Sequence, residues 1–316
     1  MAVEKVALVY RALGLGDFLT GVPAFRAIRR ALPRHRLVLA TAPELAPLAP
    51  LTGAIDLLWP ARPLEPLPWP AARPDVAINL HGRGPQSHVL LATLRPRRLV
   101  AFGNDKLGVT GPPWMRAEHE VLRWCRLVET ELQVAAPVDD LLLSPPTVAS
   151  PVDGAVVLHP GAATAARRWP VERFAAVARQ LVSRGGRRPV VVTGSAAETE
   201  LAETVCVLAG LPPAAVLAGR TPLDELAALI ARAALIVSND TGVAHLASAF
   251  RTPSVVLFGP TPPSIWGPPA SGPHIALWHG PSGDPHGDHL DPALAAIQVD
   301  QVVAAADALL GGIRGQ

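Results

Sequence analysis

Residues 235–267, LIVSNDTGVAHLASAFRTPSVVLFGPTPPSIWG, admit few folds. A short apolar run, 235–237, leads into Ser238, Asn239, Asp240, Thr241 and Gly242. Val243, Leu246, Ala247 and Phe250 then recur at helical spacing. A second apolar run, 254–258, ends in Gly259, Pro260 and Thr261. The pattern is strand, polar turn, helix, strand, which is one βαβ unit. Open parallel sheets bind ligands outside the carboxyl ends of their strands. Both polar turns fall at such ends and are expected to line one crevice. The first N–H groups of a helix lack intrahelical partners, and its dipole is positive there, so this turn suits a phosphate or diphosphate. Thr241 adds a hydroxyl donor, and Gly242 admits an oxyanion close to the backbone. Asp240 or Thr241 could instead be a simple helix cap. His245 on the first turn and the second Gly-Pro-Thr turn favour the ligand site.

The same grammar recurs along the chain. Strands are expected at 5–10, 37–40, 54–58, 75–80 and 99–102 in the first half. In the second they are expected at 155–158, 190–193 and 215–217. Helical periodicity spans 18–32, 118–132, 171–184, 198–209, 223–232 and 299–310. Residues 144–153, SPPTVASPVD, have the composition of a linker, giving domains 1–148 and 149–316. Strand, glycine turn and helix repeat in both halves. The expected fold is α/β, with two doubly wound, Rossmann-like domains facing a cleft.

The first strand opens into Gly14, Leu15, Gly16 and Asp17. A dinucleotide fingerprint would need a third glycine where Leu19 stands, so a Rossmann dehydrogenase is disfavoured. The glycines leave room for a ligand beside Asp17, which alone would read as an N-cap. His81, Arg83 and Gln86 lie in a glycine-containing loop after the strand at 75–80 and are candidates to hold a second substrate. Residues 60–74 are proline-rich and expected to be irregular.

Net charge is only +2. Residues 1–150 hold 17 Lys+Arg against 13 Asp+Glu, a balance of +4, and the remainder hold 11 against 13, a balance of −2. The first half therefore suits an anionic acceptor, and no nucleic-acid partner is expected. Arg26, Arg29 and Arg30 on one side of the first amphipathic helix could meet anionic lipid, giving a peripheral membrane association. No apolar run is long enough to span a bilayer. The opening residues, with Glu4 and Lys5 inside a strand pattern, do not resemble an export signal. A cytoplasmic protein, at most at the inner face of the membrane, is expected. Cys125 and Cys206 fit no metal or redox spacing. His286, His289, Asp284, Asp288 and Asp291 crowd residues 280–292 without regular ligand spacing, so neither a metal nor a cofactor is expected.

Several motifs occur together and in order. These are Leu15-Gly16-Asp17 with Pro23-Ala24, and His159-Pro160-Gly161 with Arg167-Arg168-Trp169-Pro170 and Arg173-Phe174. Asp240-Thr241-Gly242 with His245, and Phe258-Gly259-Pro260-Thr261, complete the set. Over nearly its whole length the chain resembles glycosyltransferase family 9, the heptosyltransferases best known from lipopolysaccharide core assembly. The resemblance implies the two-domain GT-B fold, with acceptor bound mainly by the first domain and donor by the second. It also allows the last helix to pack back on the first domain. It implies inverting, metal-independent transfer of a heptose or related sugar from a nucleoside-diphosphate donor, such as an ADP-heptose, to a glycan or lipid-linked acceptor. It makes Asp17 the general base, and Asp240, Thr241, Gly242 and His245 the donor-diphosphate segment, with Gly259 and Thr261 beside it. Glu198 falls near the ribose-contacting acid, and Ser195, at the end of the strand at 190–193, is a further donor-binding candidate. Arg167, next to Arg168, stands where the family often has a donor-contacting lysine; a planar fork grips a diphosphate differently. A nucleotide-sugar epimerase or hydrolase, or a non-catalytic nucleotide-sugar binder, would share the donor site.

Overall fold

The computed structural model describes residues 5–69, 73–184 and 188–312. Residues 1–4 of the opening strand pattern and residues 70–72 of the proline-rich loop lie outside them. The chain divides into two compact units, Met1–Ser144 and Pro145–Gln316.

The first unit runs β1 (Val6–Tyr10), α1 (Leu15–Thr20), α2 (Val22–Ala31), β2 (Arg36–Thr41), β3 (Leu57–Pro60), β4 (Val76–Asn79), α3 (Gln86–Thr93), β5 (Arg98–Val100) and α4 (Glu120–Leu132). Its five strands are all parallel, in the order β3-β2-β1-β4-β5. Ala7, Leu8, Val9 and Tyr10 are fully buried, which is why a central parallel strand reads as an unbroken apolar run. Direction reverses between β1 and β4, where Tyr10 is in register with Asn79. The loops after these two strands therefore emerge side by side, at the switch point where doubly wound sheets hold ligands.

The helix expected over 18–32 is two helices. Gly21 both closes α1 and opens α2. A side chain there would run into the Phe25 ring and the Arg11 stem, so the break lets Arg11 pass beneath. Helix α3 was not expected; its polar start, Gln86-Ser87-His88, reads as loop. The α2 arginines offered to lipid are engaged within the unit. Arg26 donates to the Thr52 carbonyl and pairs with Asp140, Arg29 donates to the Ala54 carbonyl and pairs with Asp56, and Arg30 bonds the Ala135 carbonyl.

The second unit runs β6 (Val156–His159), α5 (Val171–Arg184), β7 (Val190–Val192), α6 (Thr199–Ala209), α7 (Leu223–Arg232), β8 (Leu235–Asn239), α8 (Gly242–Phe250), β9 (Ser254–Leu257), α9 (Pro263–Trp266), β10 (His274–Leu277), α10 (Pro292–Ala296) and α11 (Val299–Gly312). The sheet is again all parallel, in the order β10-β9-β8-β6-β7. The strand expected at 215–217 is a single bridge, Val192 to Val216. The edge strand β10 was not expected, because HIAL is short and half exposed. Helix α11 packs against α5 and the β8–β10 strands of this unit. The switch point lies between β6 and β8, with His159 in register with Ser238. The turn at Asp240 thus sits beside the His159-Pro160-Gly161 turn.

Candidate functional site

In the first unit the switch-point crevice is organised by Arg11, the first residue after β1. It is fully buried. Its Nε donates to the Asp17 carbonyl and one terminal nitrogen to the Leu80 carbonyl. The other terminal nitrogen reaches Thr20 Oγ1 at 3.0 Å, Glu120 Oε1 at 3.1 Å and Asp17 Oδ1 at 3.5 Å. One guanidinium thereby ties the loop after β1 to the loop after β4.

Asp17 is not an N-cap. Gly14 occupies that position, and Asp17 stands on the third residue of α1. Its side chain keeps 28% exposure, so it is held from behind yet reachable. Burial raises the affinity of its carboxyl for a proton, Arg11 opposes this, and Glu120 adds to it. A carboxylate made more basic in this way is a better proton acceptor.

His81 stacks on Tyr10, with ring centroids 4.6 Å apart. Burial first, then Arg11, push its pKa down to about 4, so the imidazole is neutral at neutral pH. Its backbone N–H donates to Asn79 Oδ1 at 3.0 Å. Asn79 Nδ2 donates to Ser87 Oγ at 2.8 Å and to His88 Nδ1 at 3.0 Å, fixing the start of α3. Gly84 has φ of +74°, and a side chain there would strike the His88 ring. Arg83 and Gln86 are exposed, and Gly16 lies half-buried beside Asp17.

In the second unit Asp240 is buried at the end of β8. Arg167 donates one terminal nitrogen to both its carbonyl and its Oδ2, the latter at 3.0 Å. Burial raises the Asp240 pKa and Arg167 lowers it. Arg167 Nε is buried with no hydrogen-bond partner among the described residues. Arg168 is turned elsewhere, donating its Nε to the Ala162 carbonyl at 2.8 Å. Of the two arginines, therefore, Arg167 joins the Asp240 turn. Thr241 is the N-cap of α8 and makes no side-chain cap bond, and Gly242 is its first helical residue. His245 is buried against Trp266, edge to face at 5.6 Å.

Glu198 accepts from the Ser195 backbone N–H and hydroxyl, each at 2.8 Å, in a capping box before α6. Any side chain at Gly161 would strike the Glu198 carboxylate, so these residues line the far side of the β6 turn. Gly259 is packed against Leu294 and Ala166, and its carbonyl accepts from Trp278 Nε1 at 3.0 Å. Thr261 is half-buried in the same turn. Residues 283–291 fold over this region: Gly283 N–H donates to the Pro260 carbonyl and Thr164 Oγ1 to the Pro285 carbonyl. Among the described residues no group of three His, Cys, Asp or Glu is placed to hold a metal ion.

Residues 112–282 match the family model described as glycosyltransferase family 9 (heptosyltransferase), which is more than half of the chain. The chain belongs to glycosyltransferase family 9. Among curated relatives, this family 9 chain is 35% identical over 182 residues to lipopolysaccharide heptosyltransferase 2 of Salmonella typhimurium, covering 55% of this chain and 48% of that protein. It is 35% identical over 162 residues to lipopolysaccharide heptosyltransferase 3 of Escherichia coli, covering 49% and 46%. In these matches the chain spans less than half the length of each relative. The fold matches the solved E. coli ADP-heptose LPS heptosyltransferase II at a TM-score of 0.77 and 21% identity, over 98% of this chain and 99% of that one. A family 9 glycosyl transferase from Veillonella parvula matches at 0.76 and 20%, over 99% of each. The α/β fold of this family 9 chain, two Rossmann-like units, is accordingly of the GT-B type. Among its described residues no helix is long and apolar enough to cross a membrane.

Sequence reasoning missed Arg11 and Glu120 in the first crevice. Their partnership spans 109 positions, and only a buried distance reveals it.

The Arg167–Asp240 pair makes a testable statement. In Arg167→Ala the buried Asp240 carboxylate loses its counter-charge, so its folded pKa rises further above the unfolded value. A raised carboxylate pKa contributes stability that is full at low pH and lost as pH rises through it. The Tm deficit of Arg167→Ala relative to wild type is therefore expected to be greatest at neutral pH and to shrink on acidification through the carboxylate range. A deficit independent of pH would mean that the pair is not ionised in the folded protein.

Proposed function

We propose that this chain is an inverting glycosyltransferase that moves a heptose or related sugar from a nucleoside diphosphate to the hydroxyl of a glycan or lipid-linked acceptor. The observation that carries the reading is the Asp240-Thr241-Gly242 turn at the second switch point, with Arg167 fixed on it and the N-terminus of α8 behind it. That turn offers backbone N–H groups and a guanidinium to a diphosphate. The relatives named lipopolysaccharide heptosyltransferase, and a solved relative, E. coli WaaC, described with ADP, support the choice of donor class.

The chemistry follows from these groups. The acceptor oxygen attacks the anomeric carbon from the face opposite the leaving group, and its proton passes to the Asp17 carboxylate. The bond from the anomeric carbon to the diphosphate oxygen breaks, and the diphosphate leaves with the electron pair. Arg167 and the α8 N-terminus stabilise the charge that develops there. Ser195 and Glu198 face the ribose, and His81, Arg83 and Gln86 meet the acceptor.

Arg167→Ala is expected to weaken nucleoside-diphosphate binding by about 1.5–3 kcal/mol, the range for a hydrogen bond to a charged group. Calorimetry checks this, and unchanged affinity would move the clamp to Arg168. Turnover is expected to persist in EDTA, since fixed protein groups supply the counter-charge. Activity abolished by chelator and restored by Mg²⁺ would contradict the metal-independent mechanism.

The reading as a whole is tested by incubating candidate nucleotide sugars with and without saccharide acceptors. Acceptor-dependent release of nucleoside diphosphate, with an inverted linkage in the product, supports transfer. Donor breakdown or epimerisation without acceptor would replace it.

A further inference from the structure

The first unit contains a buried chain of charges that begins at Asp17. Arg11 touches Asp17 and Glu120, and Glu120 lies at the start of α4. Glu120 also accepts from Trp124 Nε1 at 2.7 Å and pairs with Arg123. Arg123 donates to the Glu118 carbonyl at 2.8 Å, and Glu118 grips Arg126 with both oxygens, at 2.6 and 2.7 Å. The signs alternate from Asp17 to Arg126. Arg11, Glu120, Arg123 and Glu118 are all buried. The Trp124 ring lies 4.7 Å beneath the Arg11 guanidinium and Trp114 lies 4.4 Å from that of Arg123.

We propose that Arg11 is a positioning residue for Asp17, and that Glu120 completes the device by fixing Arg11 and dividing its charge. The inference rests on Asp17 being the base. The geometry separates two tasks. Position comes from the Arg11 fork, which fixes the Asp17 main chain and the Leu80 carbonyl, while only the 3.5 Å contact reaches the carboxylate. Ionisation is set by burial first, which raises the carboxyl's affinity for a proton, and then by the balance of charges around it. An arginine facing Asp17 alone would make its carboxylate a weak base, because an opposite charge favours the ionised form. Glu120 and Asp17 share Arg11, so Asp17 stays held and remains basic. His81 after β4 also faces Arg11, and its lowered pKa leaves it neutral; Tyr10, stacked on it, is kept neutral by burial, which raises its pKa. Arg123 stands behind Glu120 on α4 and pairs with its other carboxylate oxygen.

The test compares kcat/KM against pH for wild type, Glu120→Gln and Arg11→Lys, with a confirmed acceptor and saturating donor. It is paired with 13C NMR titration of the Asp17 carboxyl, assigned by its loss in Asp17→Asn. In Glu120→Gln the acid limb and the carboxyl titration are expected to move together to lower pH, since Arg11 then acts on Asp17 alone. Arg11→Lys keeps the charge but not the fork, and kcat is expected to fall about 10–100-fold, the scale of a misplaced catalytic group, with donor KM unchanged. Lower melting temperatures with the limb and titration unmoved would overturn the proposal and leave the chain a structural support for α4. Should Glu120→Gln fail to fold, the wild-type titration decides. A midpoint within or above the ordinary carboxylate range is the result expected, and one below it, the mark of Arg11 acting undivided on Asp17, overturns the proposal. Failure of the base reading is distinguishable: Asp17→Asn would then stay active, while the NMR shift in Glu120→Gln would persist.

Discussion

Asp17→Asn is expected to lower kcat about 10²–10⁴-fold, the usual contribution of general acid–base catalysis, with Tm and nucleotide affinity near wild type. The structure makes this substitution clean. Arg11 is held by the Asp17 carbonyl rather than by its carboxylate, so the amide leaves the main fixing bond intact. Asn keeps an oxygen for the 3.5 Å contact. The N-cap of α1 is Gly14, so no cap is lost. Only the ability to accept a proton disappears. Turnover within threefold of wild type, at saturating donor with a confirmed acceptor, would refute the catalytic role.

The second large effect belongs to Trp169. It follows Arg167 and Arg168 in the family motif, and its contacts are structural. Trp169 is buried, with its backbone N–H donating to Asn239 Oδ1 at 3.1 Å and its Nε1 to the Ile297 carbonyl at 3.2 Å. Its ring meets Phe174 edge to face at 5.2 Å. Arg173 reinforces it by donating to the Ala295 and Ile297 carbonyls at 2.6 and 2.7 Å. Asn239 in turn donates to the Pro160 carbonyl at 2.8 Å, so Trp169 joins the β6 turn, the β8 end and the segment before α11. Trp169→Ala is expected to destabilise the second unit by about 3–5 kcal/mol, a fall in Tm on the order of 10 °C. Calorimetry of the full chain checks this, and a change under about 1 kcal/mol would show that the site does not rest on Trp169.

The second crevice was legible because each of its turns interrupts an apolar run with glycine and polar residues. Strand ends, helix starts and the order of motifs all follow from that local contrast. The first crevice was legible only in part. Asp17 stood out beside two glycines, yet its position on α1 depends on Gly14 taking the cap and on Gly21 ending the helix. Arg11 read as an ordinary charge after a strand. Its burial depends on Glu120, Thr20 and the Trp124 ring, which no periodicity brings together. The partners of Arg26, Arg29 and Arg30 were hidden for a related reason. Helical spacing identifies a polar side but not the carbonyls and carboxylates that the tertiary fold sets against it. Strand β10 escaped because an edge strand of four residues needs little apolar sequence.

The proposed transfer depends above all on the turn at Asp240 binding the diphosphate of a nucleotide-sugar donor. Calorimetric titration of the full chain with ADP, UDP, GDP and CDP, each alone and as a sugar conjugate, tests it most directly. One nucleoside diphosphate is expected to bind saturably at a single site, and Arg167→Ala to weaken that binding about 10–150-fold. Absence of binding by every member of the panel to folded protein, or binding indifferent to Arg167→Ala and Arg168→Ala alike, would contradict it.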